Sequence, residues 1–262
     1  MRRVAVLALL PLALAACGPR PLRVCADPNN LPFSNRAGEG FENRLVQMIA
    51  SDLHRPVRYV WWAQRRGYVR NTLKDRRCDL WPGVASSVDM LATTRPYYRS
   101  TYVFVTRADR GLDIRSFDDP RLRTVTVGVQ MIGDDAANTP PAHALARRGI
   151  IGNVRGFMLY GDYARPNPPA AIVEAVDRGD IDVAVVWGPL AGYFAARARH
   201  PLRLAPVQPW LDGPQWPMAF DVSMGVRRDD RRLQRALDVE LDRLKSKVDA
   251  LLAAYHVPVV AP

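Results

Sequence analysis

Short apolar runs alternate with amphipathic segments along residues 22–107. Apolar positions that recur with a period near 3.6 predict helices, and compact runs rich in β-branched or aromatic residues predict strands. Strand–helix–strand repetition indicates a parallel sheet with right-handed crossovers. The pattern predicts, in order, strand Leu22–Ala26, helix Gly40–Leu53, strand Val57–Trp62, helix Tyr68–Arg77, strand Cys78–Val84 and strand Tyr102–Thr106.

A second α/β unit follows the charged segment 108–119, which we interpret as the first crossing between two lobes. Lobe 1 is predicted to comprise residues 22–107 plus 219–258, and lobe 2 residues 108–218. The expected fold class is therefore α/β, with two lobes joined by two crossings around a cleft. The predicted elements are strands Thr124–Val129, Ile181–Trp187 and Ala219–Val226, and helices Pro141–Arg148, Ala170–Arg178, Pro189–Arg199 and Asp230–Tyr255, the last as one long helix or a pair.

A polar turn directly follows the first predicted strand and contains Asp27, Asn29, Asn30 and Phe33. In open α/β sheets, ligands bind in the crevice beyond the carboxyl ends of the strands. We therefore expect this turn to contact a ligand or a partner. Asp and Asn also favour turns for backbone reasons, so a purely structural role stays open.

The remaining candidate binding residues also stand near strand ends or beside a crossing. Trp and Arg are frequent anchors at interfaces, which favours a binding role for several of them. An indole that points into the core, hinge packing by the tyrosine and helix capping by the aspartates are the alternatives. These candidates are Trp61, Trp62, Gln64 and Arg65 after the second strand, Tyr97 near the crossing, Asp134 and Asp135 in a lobe-2 turn, and Trp187 at a lobe-2 strand end.

Residues 1–17 have the pattern of a lipoprotein signal peptide. Arg2 and Arg3 precede an apolar run that is too short to span a bilayer. The run ends in Leu-Ala-Ala-Cys, a lipobox in which Cys17 would be lipidated. The expected location is therefore the periplasm, with a lipid anchor as the only link to the membrane. An ordinary signal peptide with Cys17 as a bystander is the alternative.

The formal net charge is +11, and almost all of the positive charge is arginine. A basic chain often suggests nucleic acid as a partner. Export removes this chain from nucleic acid, and no basic block is interleaved with aromatic residues. The charge instead suits an acidic protein partner or an anionic membrane surface.

Cys25 and Cys78 remain once Cys17 is assigned to the anchor. They belong to predicted strands that can be neighbours, and an oxidising compartment favours a disulfide between them. Two buried thiols are the alternative. The four histidines are scattered and form no Cys/His cluster, so no metal site and no cofactor are predicted.

Catalytic chemistry has little support in the sequence, which contains no recognisable Ser/His/Asp or Cys/His arrangement. Glu42 and Asp182 are the acids that a catalytic reading would use. Glu42 stands at a predicted helix start and Asp182 at a strand entry, and both positions favour structural roles. We therefore expect a non-enzymatic protein, with a dehydratase or lyase on the same scaffold as an alternative.

Two short motifs resemble the extracytoplasmic solute-binding proteins of family 3. One is helix Ala171–Arg178 followed by Gly-Asp-Ile-Asp at 179–182, and the other is Pro32-Phe33 with Gly-Phe-Glu at 40–42. The resemblance implies the type II periplasmic-binding-protein fold.

Five longer strings, at residues 23–34, 61–67, 93–102, 133–143 and 186–194, resemble the quinoprotein dehydrogenase-associated substrate-binding proteins (MxaJ/XoxJ-like). The resemblance covers residues 22–258. It implies a periplasmic accessory of a PQQ-dependent methanol or alcohol dehydrogenase that aids its maturation or activation, with the associated cytochrome c as a further candidate partner. An ABC-transporter receptor for a small polar ligand is the alternative.

Two departures from amino-acid-binding relatives of that fold concern the ligand. Those relatives clamp the ligand carboxylate with an arginine, whereas residues 83–94 contain none. The lobe-2 turn contains Asp134 and Asp135, which would repel an anion. An amino-acid ligand is therefore not expected.

Overall fold

The computed structural model describes residues 19–132, 138–159 and 163–261. It contains helices α1 Phe41–Asp52, α2 Pro140–Arg147, α3 Ala171–Arg178, α4 Gly188–Ala195, α5 Arg231–Arg243 and α6 Lys245–Ala254. The strands are β1 Leu22–Ala26, β2 Asn29–Asn30, β3 Ser34–Asn35, β4 Val57–Trp61, β5 Leu80–Ala85, β6 Ala92–Thr93, β7 Tyr98–Arg107, β8 Val127–Met131, β9 Val154–Met158, β10 Val183–Trp187, β11 Leu202–Pro206, β12 Leu211–Asp212, β13 Trp216–Pro217 and β14 Ala219–Val226.

The main sheet has the order β4-β1-β5-β14-β7-β10-β8-β9, with β6 paired to β14 and β11 to β7. Strands β4, β1 and β5 run parallel at one end, and β10, β8 and β9 run parallel at the other. An antiparallel pair, β7 with β14, joins the two blocks. The α/β fold class expected from the sequence is confirmed.

Strand β7 is shared between the two halves of the sheet. Residues 98–101 pair with β14, whereas residues 102–107 pair with β10 and β11. The change of strand partner therefore lies inside β7, whereas the sequence predicts the first crossing between lobes in segment 108–119. The division into lobes 22–107 plus 219–258 and 108–218 stays a prediction. This pairing favours a first crossing near Thr101.

Each half has its own apolar core. In the first half, α1 lays Phe41, Leu45 and Ile49 against the sheet, and α5 and α6 cover the same layer through Leu237 and Val248. In the second half, two clusters lie on the two faces of β7, β8 and β10. Continuous apolar strands such as β10 are typical of a sheet that is covered on both faces.

Local differences from the sequence-based expectation have clear causes. The helix predicted over Tyr68–Arg77 is present in a shorter form: residues 68 and 69 are α-helical and lead into one π-type turn, Arg70–Lys74. Gly67 and Arg76, with φ of 86° and 55°, adopt left-handed conformations on either side and limit the length of this segment. The single long C-terminal segment is a pair of helices that meet at Leu244.

Strands β9 and β11 were not predicted at all. Each has five residues, and both are largely accessible to solvent. In β9, Arg155 and Gly156 break the alternation of apolar and polar residues on which a strand prediction rests. In β11, the alternation of Leu202, Arg203 and Leu204 lasts only three residues before Ala205 and Pro206, which is too short to predict a strand.

Cys25 in β1 and Cys78 just before β5 are joined as a disulfide, with Cα atoms 5.5 Å apart. Strands β1 and β5 are neighbours, as the pairing of Val24 with Leu80 shows. A bridge across 53 residues would stabilise the fold by about 4 kcal/mol in the chain-entropy model. Among the residues described, no helix combines the length and apolar character that a membrane crossing needs.

Candidate functional site

A cavity of about 280 Å³ lies between the two halves of the sheet, next to the shared strands β7 and β14. It is lined from the first half by Asn30, Phe33, Glu42, Gln64, Gly83, Val84 and Ala85, from the shared strands by Tyr98, Tyr102, Phe220 and Val222, and from the second half by Gln130, Leu159 and Trp187. Most of these groups are apolar or aromatic, as is usual for a small-molecule site.

Aromatic rings from three strands form one wall of the cavity. Tyr102 on β7 and Phe220 on β14 both pack edge-on against Trp187 at the end of β10, with centroid distances of 5.3 and 5.8 Å. Tyr102 and Phe220 are themselves 6.5 Å apart. The rings fix one another, so the wall is organised by packing within the protein.

The Asn29–Phe33 turn places Glu42 at the cavity. The backbone N–H of Glu42 donates to the carbonyl of Phe33 at 3.0 Å, which holds the first turn of α1 against this segment. A Cβ on Gly40 would lie 2.0 Å from the same carbonyl oxygen, so only glycine permits the close approach. The turn and the helix start thus form one unit.

Glu42 is only 3% exposed, although its carboxyl group borders the cavity. No hydrogen bond to this carboxyl is present among the residues described. Its neighbour is Gly83, where a Cβ would lie 1.9 Å from Oε1 of Glu42. Burial, together with the negative charge of the nearby Asp27, raises the pKa of Glu42 to about 8. The acid is therefore largely neutral at pH 7 while the cavity is empty.

Asp27 is buried to a similar degree but fully hydrogen-bonded. Its Oδ1 accepts from the backbone N–H of Asn29 at 2.9 Å, and its Oδ2 accepts from the backbone N–H of Gln64 at 2.7 Å. The hydroxyl of Tyr163, from the second half, donates to the same Oδ2 at 2.5 Å. Asp27 thereby connects two segments of the first half to a segment of the second.

Further contacts join the halves beside Asp27. Asn29 donates from Nδ2 to the carbonyl of Arg165 at 2.8 Å and accepts from the N–H of Asn167 at 3.1 Å. The Arg65 guanidinium lies 4.8 Å above the ring of Tyr163. We call these contacts the bridge: Asp27, Asn29 and Arg65 on one side, and Tyr163, Arg165 and Asn167 on the other. The bridge holds the halves together next to the cavity.

Only some of the binding residues predicted from the sequence lie at the cavity or in the bridge. Asn30, Phe33, Gln64 and Trp187 line the cavity, and Asn30 donates to the Gln64 side chain at 3.2 Å. Asp27, Asn29 and Arg65 belong to the bridge. Asp134, Asp135 and Cys17 lie outside the described residues. Binding of a ligand or a partner by these residues remains a prediction.

The other predicted aromatic residues lie away from the cavity. Trp61 stacks on Tyr59 at 4.6 Å along β4, the outermost strand of the sheet. Trp62 packs beside the disulfide, with Arg77 over its ring at 5.1 Å. Tyr97 donates to the carbonyl of Pro82 at 3.1 Å and packs against the first core. The structure therefore does not bring these three to the cavity.

Several cavity residues were not put forward as site residues from the sequence. Glu42 had been interpreted as a helix-start acid; it does stand in the first turn of α1, but its carboxyl also borders the cavity. Tyr102, Gln130 and Phe220 lie within strands, where the linear sequence gives no signal of an interface between halves. One feature of the sequence could have indicated Glu42 as a site residue: it is an acid at the start of the helix that follows the turn after β1.

The described residues that line the cavity are better suited to binding a ligand than to catalysis. It contains one carboxylic acid and no Lys, Arg or His. No group of three or more potential metal-ligating residues occurs in the described part of the chain. A ligand would meet aromatic side chains, three side-chain amides and one carboxyl that has no hydrogen-bond partner among the described residues.

Comparison with known proteins identifies the family to which the chain belongs. No family model matches the chain. MoxJ of Methylorubrum extorquens AM1 is 35% identical in an alignment of 253 positions that covers 91% of this chain and 81% of that protein.

Solved structures agree with this match. The periplasmic binding protein XoxJ from Methylobacterium extorquens AM1 is 36% identical with a TM-score of 0.75, covering 92% of this chain and all of that one. MxaJ from Methylophaga aminisulfidivorans MPT is 28% identical with a TM-score of 0.77, covering 91% of this chain and all of that one. The resemblance inferred from the five strings is thereby confirmed. The chain belongs to the MxaJ/XoxJ-like family of periplasmic binding proteins, which includes MoxJ, and has the type II periplasmic-binding-protein fold.

Proposed function

We propose that the chain is a non-enzymatic periplasmic protein of methanol oxidation that aids the maturation or activation of a PQQ-dependent methanol or alcohol dehydrogenase. The observation that carries this proposal is the match to MoxJ, at 35% identity over 91% of the chain. The similarity to XoxJ extends over the whole of that chain.

The geometry of the cleft supports a binding role. The two halves meet through the bridge, whose contacts are hydrogen bonds and one cation–π contact. Contacts of this kind form and break as two lobes close and open on shared strands. Closure can change the surface that the protein presents to a partner, which suits an accessory that acts by protein contact.

The same geometry argues against delivery of amino acids. An α-amino acid brings a carboxylate, which binding sites usually meet with arginine or with free backbone N–H groups. The described cavity residues include no positive side chain, while Glu42 and the adjacent Asp27 are acids. The absence of an arginine clamp in residues 83–94 points the same way.

A dehydratase or lyase is a second candidate, because one specific observation favours it. A buried carboxyl with a pKa near 8 is the kind of group that general acid catalysis uses. General acid–base chemistry usually needs a second group to take or return a proton. The described lining has no second acid and no His, so we rank this candidate below the binding role.

Deletion of the gene tests the proposal. We expect methanol-dependent dye reduction by the periplasmic fraction to fall, together with the PQQ content per dehydrogenase, while the amount of dehydrogenase polypeptide changes less. Complementation with the wild-type gene should restore both. Unchanged activity and cofactor loading would contradict an accessory role, and a growth defect confined to uptake of one solute would favour a transport receptor.

The proposed anchor is tested separately. Cys17→Ser should prevent incorporation of labelled fatty acid and release the protein into the soluble periplasmic fraction. Cys25→Ser with Cys78→Ser serves as the control, since those residues lie in the disulfide and should not affect lipid incorporation. Labelled fatty acid in the Cys17→Ser protein would contradict the anchor.

A further inference from the structure

The cavity combines two features that point to a ligand of one electrical sign. Its wall presents the rings of Tyr98, Tyr102, Trp187 and Phe220, whose faces carry partial negative charge. Its floor presents the carboxyl of Glu42, which is 97% buried and has no hydrogen-bond partner among the described residues. Both features favour a positive charge.

The unpaired acid requires an explanation, because buried polar groups in folded proteins are nearly always hydrogen-bonded. Gly83 leaves the space that the carboxyl occupies, so the side chain is accommodated by the fold and not forced into it. Asp27 does not relieve it, since that residue already accepts three hydrogen bonds and is itself an acid. The missing partner therefore has to come from the cavity side.

We propose that the cavity binds a small organic cation, with the positive group held between the Glu42 carboxylate and the aromatic wall. Aromatic faces recognise alkylated ammonium groups by cation–π attraction, and a carboxylate adds a charge pair at one side. A volume of about 280 Å³ equals roughly nine water molecules, at about 30 Å³ each, which limits the ligand to about ten non-hydrogen atoms. The inference goes beyond the proposed function and does not depend on it.

Anions and neutral molecules fit the same cavity less well. An anion would meet Glu42, with Asp27 close behind it, and no described lining residue would offer a positive charge. A neutral apolar molecule would pack against the aromatic wall but leave the Glu42 carboxyl without a hydrogen-bond partner. A cation, unlike an anion or an apolar molecule, pairs the carboxyl and is attracted to the aromatic rings as well.

Binding of a cation should be coupled to loss of the proton from Glu42. The groups that face Glu42 are Asp27 after β1, Tyr59 on β4, Tyr68 before the π-type turn, and Tyr97 and Tyr98 at the start of β7. Burial raises the pKa of each of these phenols above its ordinary value, so the tyrosines stay neutral between pH 7 and pH 9. With a pKa of about 8 in the empty cavity, Glu42 is the group that changes over this range. Cation affinity should therefore rise about tenfold from pH 7 to pH 9.

Isothermal titration calorimetry on the mature full-length protein tests the proposal with matched probes. The cations are choline, tetramethylammonium and trimethylammonium. The neutral analogue 3,3-dimethylbutan-1-ol has nearly the shape of choline, and 3,3-dimethylbutanoate supplies an anion of similar size. We expect at least one cation to bind at least about tenfold more tightly than both analogues, with affinity increasing from pH 7 to pH 9.

Glu42→Gln keeps the shape of the side chain and removes its charge. We expect it to reduce cation affinity at pH 9 at least about tenfold, to abolish the pH dependence, and to leave the weak binding of the alcohol unchanged. Glu39→Gln is the control, since Glu39 is exposed three residues earlier and should bind like the wild type. Circular dichroism and thermal melting verify that both variants fold.

Three outcomes would overturn the proposal. The first is that none of the cations binds more tightly than the neutral alcohol. The second is preferred binding of the carboxylate probe. The third is cation binding that a folded Glu42→Gln variant retains in full, which would locate the cation elsewhere.

Discussion

Two buried acids lie close together at the cleft, and their surroundings differ sharply. Asp27 is 1% exposed and accepts hydrogen bonds from two backbone N–H groups and one hydroxyl. Glu42 is 3% exposed and accepts none from the described residues. Burial is nearly equal, so the supply of donors is what separates the two.

The carboxyl of Asp27 has a structural role in this cleft, whereas the carboxyl of Glu42 is open to the cavity. The donors of Asp27 come from both halves, so its carboxyl is used to connect the turn after β1, the Gln64 segment and Tyr163. Glu42 borders the cavity, and its carboxyl oxygens accept no hydrogen bond from the described residues. A carboxyl without donors keeps its proton to higher pH, which makes it responsive to whatever enters the cavity.

Among substitutions in the cleft, Asp27→Asn should cause the largest loss of stability. An amide in this place presents an NH₂ group to at least one of the three donors, which leaves a donor unpaired in a buried site. We expect the free energy of unfolding to fall by about 3 kcal/mol, measured by urea denaturation. Asp89→Asn, at an exposed position, is the matched control and should change it by less than about 0.5 kcal/mol. Equal stability of the two variants would show that the donors around Asp27 contribute nothing.

The sequence predicts much of this arrangement where local chemistry determines it. The crevice turn could be placed because ligands collect beyond the carboxyl ends of parallel strands, and Asn30, Gln64 and Trp187 do line the cavity. The same reasoning predicted a cleft position for Trp61. The Trp61 ring instead stacks on Tyr59, two positions earlier on the same face of β4, and only Gln64, beyond the strand end, reaches the cavity.

The rest of the site depends on pairing that the linear sequence does not specify. Tyr102 and Phe220 meet because β7 and β14 are antiparallel neighbours, although 118 positions separate them in the chain. The Tyr163 bond to Asp27 spans 136 positions. Glu42 was visible as an acid, but its burial depends on Gly83 from a different strand.

Glu42→Gln should change how the stability of the protein depends on pH. The pKa of Glu42 is about 8 in the folded chain and near its ordinary value of 4.5 when unfolded. Between these values the folded state binds the proton more strongly, so the wild type loses stability as the pH rises through this range. From pH 6 to pH 8.5 we expect the wild type to lose about 2 kcal/mol more than Glu42→Gln in urea denaturation. Glu39→Gln should follow the wild type, and parallel curves for wild type and Glu42→Gln would contradict the raised pKa.

Gly83→Ala tests whether the position of the Glu42 carboxyl is built into the fold. The added Cβ would lie 1.9 Å from Oε1, so the side chain or the strand must shift, at a cost of about 1–2 kcal/mol. In a Glu42→Ala background the obstructing atoms are absent, and the cost should drop to a few tenths of a kcal/mol. Gly152→Ala, where nothing lies within 4 Å, is the control and should be nearly neutral. Additive effects of the two changes would mean that Gly83 and Glu42 do not constrain each other.

Tyr163→Phe should produce the smallest effect, because it removes one of three donors from Asp27 and keeps the ring beneath Arg65. Loss of one hydrogen bond across the bridge should favour the open arrangement by about 1 kcal/mol, or about fivefold. We expect amide hydrogen exchange to quicken by that factor in segments 27–30 and 163–167 together, since both halves lose the same contact. Tyr59→Phe removes a weak bond at 3.4 Å away from the bridge and should leave both segments unchanged. Faster exchange in only one of the two segments would indicate local fraying, and the bridge would then not act as a unit that holds the halves together.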